Sequence, residues 1–473
     1  MTPSYAALFR SPYRALMVAA LGATFLGSLD ALMVITALPT AAEEIGGVGL
    51  IAATVGATSV TVAITFPIAG TVIDRSGAGL AFAIACILFA IANVVGGLAP
   101  SMPVVTLSRA ILGLGAGFMF AVPLGLFAIR VPDELRPRAF GINAAMWGVS
   151  ALIGPLLGAI LTSTVGWRWV FWVNLPMIAI VAWAGKLALR QHPPVERVTE
   201  RASLNVIGPL LLGAIVASML AASHDSIPVA VLIPTALVAA VGFVWYERHT
   251  STPVFTHSTN AIAANVAAFG AGVVFLGAET YLPLQLQVGF HHGVAVVGIA
   301  LLLCTLGWTT GSMGAARINL GTRSQVMLGT AMTVVATVVM ALPFGGAVLV
   351  IVAYACSGLG MGIASPALFA AVLADKVEGK EGQATSTIPL TRQIGSGVGA
   401  AVAGIVFAGA LSAHQIAASE HVGAYVPDVV GAARLTYAAV AAVGLVGVVA
   451  TRWLYDDRRG RSPVGVEPDH VPV

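Results

Sequence analysis

Runs of about 20 apolar residues, separated by short polar stretches, recur along most of this chain. An α-helix rises 1.5 Å per residue, so a run of about that length is what it takes to cross ~30 Å of hydrocarbon. Fourteen runs are predicted as spans, at residues 15–38, 48–73, 79–99, 103–129, 139–164, 169–189, 204–223, 227–246, 260–285, 294–316, 324–343, 347–373, 384–411 and 433–453. The first is too long for the apolar core of a signal peptide and is interrupted by Asp30, so it reads as an uncleaved span.

Composition agrees with a bilayer as solvent: 58% of residues are hydrophobic, 9% are charged, and the mean hydropathy is +0.94. Soluble domains carry about 25% charged residues. Nothing supports nucleic-acid binding, and no nucleotide loop or metal-ligand cluster argues for catalysis, so neither an enzyme nor a metal cofactor is expected. Cys86, Cys304 and Cys356 lie far apart in apolar runs and read as small core residues.

Charge placement orients the chain. With the N-terminus in the cytoplasm, nineteen of the 23 basic residues fall on the inner side, only Arg168 and Arg434 fall outside, and Arg109 and Arg392 lie within spans. That asymmetry follows the positive-inside rule and puts both termini in the cytoplasm for an even number of spans.

The chain also repeats itself, as transporters commonly do. The run from Arg109 to Gly117, with glycines at 113, 115 and 117, recurs as Tyr354 to Gly362, with glycines at 358, 360 and 362. Gly154 and Gly158 recur as Gly395 and Gly399. The predicted organisation is a six-helix bundle over 1–190, a linker and two inserted helices over 191–257, a second six-helix bundle over 258–455, and a cytoplasmic tail over 456–473.

Asp30, Arg109, Glu279 and Arg392 are the ionisable residues deep within spans, and a charge in hydrocarbon is costly enough to mark each as a functional candidate. Counting inward from Pro39 and Ser101, Asp30 and Arg109 share a layer roughly 12 to 14 Å below the outer boundary. A carboxylate and a guanidinium at equal depth are expected either to couple a proton to transport or to fix helix packing as a static ion pair. Glu279 lies at similar depth in the ninth span; it carries the proton, attracts a cationic substrate, or is a neutral hydrogen-bonded carboxyl. Arg392 lies nearer the midplane, where an acid or a cluster of carbonyls is the ordinary partner.

An ordered set of motifs resembles the major facilitator superfamily, in its fourteen-span drug:proton antiporter branch of the QacA/EmrB type. Leu29-Asp30 through Pro39 is similar to the branch's first-helix signature, and Gly70, Asp74, Arg75 and Gly77 sit like the superfamily's gating motif between the second and third spans. Leu107 to Gly115 is similar to the proton-linked motif, Ser150, Gly154, Pro155 and Gly158 to the antiporter motif, and Gly166-Trp167-Arg168-Trp169 through Asn174 to Pro176 follows where this branch has it. Gly382-Gln383-Ala384 and Arg392-Gln393-Ile394-Gly395 complete the set.

The resemblance implies an all-α polytopic fold of two six-helix bundles plus two extra helices, working by alternating access as a proton-driven exporter of amphipathic or cationic compounds. It implies the proton gradient rather than a cofactor as energy source. Expected partners are a small amphipathic or lipophilic substrate, protons and membrane lipids, with the protein acting as a monomer in the plasma membrane. Export of an endogenous lipid or metabolite, or metabolite:proton symport, stands beside it. Asp30, Arg109 and Glu279 are the expected coupling residues and Asp74 a cap or latch on the cytoplasmic side. Ala78 and Gly79 stand where a basic pair is usual, so the latch is either weaker or draws on Arg136 and Arg138. Gly154 and Gly158, four apart, allow a close helix approach that Pro155 bends. Asn143, Trp147, Tyr281, Gln285, Gln287 and Trp308 are candidates for lining a cavity between the halves, whereas His291 and His292 read as solvated turn residues.

Overall fold

The computed structural model describes residues 5–47, 50–191, 205–221, 229–256, 258–317, 320–374, 380–419 and 429–454. The first part of the 191–257 segment, residues 192–204, and the tail from 456 therefore fall outside the described residues. A 3-10 turn at Tyr5–Phe9 leads into α1 (Arg14–Ile45), α2 (Ile51–Ser76), α3 (Ala78–Gly97), α4 (Met102–Arg130), α5 (Arg136–Thr164), a short α6 (Trp169–Trp172) and α7 (Asn174–Gln191). The middle of the chain holds α8 (Ile207–Ala221) and α9 (Val229–His249). Then come α10 (Thr259–Leu284), a π-helical turn at Gln285–Gly289, α11 (Val294–Ala315), α12 (Thr322–Ala341), α13 (Ala347–Ala374), α14 (Glu381–Ser419) and α15 (Val429–Ala450).

Without water in hydrocarbon every backbone group must bond internally, which is why the apolar runs are helices throughout. Hydroxyls do likewise: Thr65 and Thr330 return their Oγ1 to the carbonyl four residues back, each at 2.7 Å. Gly77, in the left-handed region at φ 85°, donates its N–H to the Ile73 carbonyl and closes α2.

Twelve helices among the described residues are long and apolar enough to span a membrane, against the fourteen expected from the runs. The difference lies in the middle segment. Helix α8 has 15 described residues and runs up to the edge of the described stretch at Ala221. Helix α9 has 21 residues and ends on Glu247, Arg248 and His249.

The later helices repeat the packing of the earlier ones. Gly154 and Gly158 seat α5 on α1: a methyl group at 158 would lie 2.5 Å from the Met33 carbonyl. Gly395 and Gly399 seat α14 on α10 in the same way, with the Phe269 and Val273 carbonyls 2.2 and 2.1 Å from where a Cβ would stand. The middle segment lies along one side of the α2 and α14 seam. Gly213 of α8 packs on Ile64 of α2, and Gln383 at the start of α14 donates its Nε2 to the Pro253 and Val254 carbonyls.

Of the three cysteines, Cys86 and Cys304 are buried as expected of small core residues, whereas Cys356 is exposed on α13. His291 and His292 stand exposed at the turn before α11, with His291 at φ 56°.

Candidate functional site

Helices α1 and α4 bring Asp30 and Arg109 together. Arg109 Nη1 donates to Asp30 Oδ2 at 2.8 Å, with Asp30 0% and Arg109 3% exposed. The other carboxylate oxygen, Oδ1, accepts from Asn174 Nδ2 at 2.6 Å, and the same amide also donates to Asn93 Oδ1 at 2.9 Å. The guanidinium lies over the Phe171 ring, 5.1 Å from its centroid. Its Nε and Nη2 are buried without a hydrogen-bond partner. One direct bond thus holds a charge that, left alone in this environment, would be strongly destabilising.

Asn93, Phe171 and Asn174 are the residues that sequence reasoning missed. Asn174 stands inside a motif already singled out, and the available signal was a neutral amide in a run that otherwise avoids polar groups.

The antiporter motif packs directly behind the pair. Ser150 Oγ lies 2.6 Å from Ser28 Oγ, and Gly154 approaches Leu29 and Leu32, the neighbours of Asp30 in α1. Pro155 sits between the two glycines, within α5. Asn143, expected to line a cavity, is instead buried in this helix pair, its Oδ1 accepting from Thr24 Oγ1 at 2.7 Å.

The equivalent helices later in the chain, α10 and α13, carry a different pair. The Tyr354 hydroxyl, at the position that corresponds to Arg109 in the repeat, faces the Glu279 carboxyl. Tyr354 stacks on Phe275, with centroids 6.0 Å apart, and Phe275 meets Trp308 edge-on at 5.2 Å. Arg392 completes the row, its guanidinium 5.3 Å from the Trp308 centroid. Tyr281 stacks on Phe407 at 4.1 Å. Gln285 is fully buried and accepts from the Tyr437 hydroxyl at 2.8 Å, so it ties α10 to α15 rather than facing a cavity. Gln287, two residues on in the π-helical turn, is half-buried.

Trp147 is 40% exposed and stacks on Phe120 at 5.2 Å, which stacks in turn on Phe66. Its neighbour Gly148 abuts Thr309, the neighbour of Trp308. Trp147 and Trp308 therefore flank one crossing of α5 and α11.

At the end of α2, Asp74 reaches across to the start of α14. Its Oδ1 accepts from the Gly382 N–H at 2.7 Å and its Oδ2 from the Gln383 N–H at 2.8 Å, so the carboxylate caps a helix of the other set, where the dipole also favours negative charge. Gly70 makes the approach possible: a Cβ there would lie 2.6 Å from the Gly382 carbonyl oxygen. Nearby, the Tyr5 ring sits between Arg138 of α5 and Arg317 just after α11, and its hydroxyl donates to the Met313 carbonyl. Burial pushes the Tyr5 phenol above its ordinary value against the lowering pull of the two arginines. Arg136 pairs locally with Asp133, so of the two basic residues expected to support the latch, Arg138 is the one beside the other set of helices.

The C-terminal ends of α1 and α5 meet in a pocket of about 660 Å³, lined by Glu44 and the stretch from Val165 to Trp169, with Trp172. Glu44 accepts from Trp167 Nε1 at 3.0 Å and pairs with Arg168 at 2.6 Å. Its polar groups are already paired with one another. Among the described residues no group of His, Cys, Asp and Glu is arranged to hold a metal ion.

Spanning helices, repeated helix contacts and charges buried within the spans define a polytopic membrane protein built like a transporter. The chain belongs to the Major Facilitator Superfamily, whose profile it matches over residues 20–400, and it serves secondary-active transport of small solutes across a membrane. Among its relatives is the multidrug resistance protein Stp of Mycobacterium tuberculosis (strain ATCC 25618 / H37Rv), 30% identical over 85% of this chain and 77% of that protein. The multidrug transporter protein MdtP of Bacillus subtilis (strain 168) is 26% identical over 81% of this chain and 73% of its own length. The crystal structure of the human organic anion transporter MFSD10 (TETRAN) shares the fold, with a TM-score of 0.69 at 16% identity, covering 93% of this chain and 100% of that one.

Proposed function

We propose that this protein is a proton-coupled exporter of amphipathic compounds, in the fourteen-span drug:proton antiporter branch of its superfamily. It works by alternating access of two six-helix bundles in the plasma membrane, with both termini cytoplasmic. The observation that carries the reading is the buried Asp30 and Arg109 pair, held by one direct bond and one amide. A proton on Asp30 removes its charge, releases Arg109 to Phe171 alone, and so makes the two states of the pair differ enough to bias a conformational equilibrium.

The Asp74 cap on α14 and the Tyr5 wedge join the two sets of helices at one end, which the basic residues assign to the cytoplasm. This arrangement fits the outward-facing stage, in which substrate leaves and a proton enters. Opening the latch then exposes the site inward, the proton departs, and substrate binds.

A second reading of the substrate, an endogenous lipid or organic metabolite, is favoured over a cationic drug by one feature. Arg392 has no acidic partner among the described residues, so the site holds a cation of its own. The resemblance to multidrug relatives supports the broader description as an exporter of amphipathic compounds.

The test is the direction of proton movement in inside-out vesicles carrying a pre-set proton gradient, acid inside. Adding an accepted amphipathic compound is expected to draw protons out of the lumen, and the Asp30→Asn variant to abolish that flux. Proton movement into the lumen together with the substrate would establish symport instead.

A further inference from the structure

Arg109 and Arg392 are both deep within spans, and their surroundings differ in one respect. Arg109 has a carboxylate at 2.8 Å, whereas nothing among the described residues accepts the N–H groups of Arg392. Arginine does not deprotonate in proteins, so this guanidinium stays a cation, and an unpaired cation in a low-dielectric layer is strongly unfavourable. The residue is half-buried, and its guanidinium lies deep in the protein. An unmatched buried charge is where a mobile counter-ion belongs.

A second donor stands at the same place. Trp308, the ring on which Arg392 stacks, has a buried Nε1–H without an acceptor. From there Phe275 and Tyr354 extend an apolar, aromatic wall to Glu279. The wall suits a lipophilic body, and the two donors at its end suit an oxyanion, which a guanidinium recognises in planar, bidentate fashion.

We propose that Arg392 and Trp308 form the head-group subsite for an amphipathic organic anion, with Phe275, backed by the buried Tyr354, against its apolar part. The proposal rests on the reading of the chain as an exporter of amphipathic compounds and names the charge of the compound. The anion neutralises Arg392 when bound. Glu279, at the far end of the row, disfavours a second negative charge there and so sets the orientation.

The experiment uses three fluorescent probes with one apolar body and different heads: 1-pyrenebutanoate, its methyl ester, and 1-pyrenebutylamine. Each is titrated against the full-length protein in lipid nanodiscs, with binding read by energy transfer from tryptophan to pyrene. The anion is expected to bind about tenfold or more tightly than the ester, the scale of one charge-assisted hydrogen bond. Arg392→Gln is expected to bring the anion down to the ester while leaving the ester within about twofold. Should Arg392→Gln fail to give monodisperse protein, Arg392→Lys decides: charge without the planar stack keeps the preference but reduces it to about threefold. Preference for the amine or the ester, binding of none of the three, or an anion preference that survives in Arg392→Gln would overturn the proposal. The coupling reading fails separately. Loss of proton-driven ester transport with the anion preference intact overturns the former and leaves the subsite standing.

Discussion

The first and fourth helices of the early set, α1 and α4, meet through a full ion pair, whereas their counterparts α10 and α13 meet through a carboxyl and a phenol. Both pairs are built on the same scaffold of glycine-seated helices, with α5 behind α1 and α14 behind α10. The charges are therefore not a by-product of the packing. In the early set the cation is locked to an anion and flanked by amides. In the later set the cation has moved to α14, where it faces an aromatic row, and the acid is left with Tyr354. Such a division separates a group suited to gaining and losing a proton from a group suited to meeting a solute.

The largest effect that sharpens this contrast is expected from Asp30→Asn, which leaves Arg109 buried without an anion. Removing one partner of a buried pair typically costs about 3 to 5 kcal/mol. Uphill transport should be lost, as measured by substrate accumulation in energised vesicles at matched membrane abundance. Glu279→Gln should act more mildly, because its Tyr354 partner is neutral and an amide can still bond to it. A loss of about tenfold in transport rate, with coupling retained, is expected from one weakened hydrogen bond to a charged group. Equal and complete loss of coupling in both variants would erase the distinction between the two sets.

Next in size is the latch. Gly70→Ala places a methyl carbon 2.6 Å from the Gly382 backbone oxygen, and overpacking of this kind costs about 1 to 3 kcal/mol. Spin-label distances across the Asp74 end should shift toward the separated population, and Asp74→Asn, which weakens the cap on α14, should shift them the same way by about 1 kcal/mol. The smallest effect is expected from Asn174→Ala, which removes the amide from Asp30 and Asn93. The pH at which transport is half-maximal should move upward, because a hydrogen bond that favours the charged carboxylate is gone. An unchanged pH profile would make Asn174 a packing residue.

Much of this was legible in the chain. Equal depth on two neighbouring spans was enough to pair Asp30 with Arg109, since depth follows directly from helical rise. The cap formed by Asp74 was foreseeable as a carboxylate at a loop, but its partner was not, because the Gly382 and Gln383 N–H groups lie some 300 positions away and no side chain advertises a backbone donor. Asn174 and Asn93 escaped because neutral amides leave no trace in charge counting, and Asn143 and Gln285 were misplaced because hydropathy marks a polar residue in a span without saying which helix face it occupies.

Counterflow and uphill transport measured side by side, on the wild type and Asp30→Asn reconstituted in liposomes, test the central claim most directly. The account predicts that Asp30→Asn still exchanges labelled for unlabelled substrate across the bilayer, because the aromatic row and Arg392 are untouched, and that it no longer accumulates substrate against a gradient when a proton gradient is imposed. Proton-driven accumulation by Asp30→Asn at the wild-type level would contradict the assignment of coupling to the Asp30 and Arg109 pair.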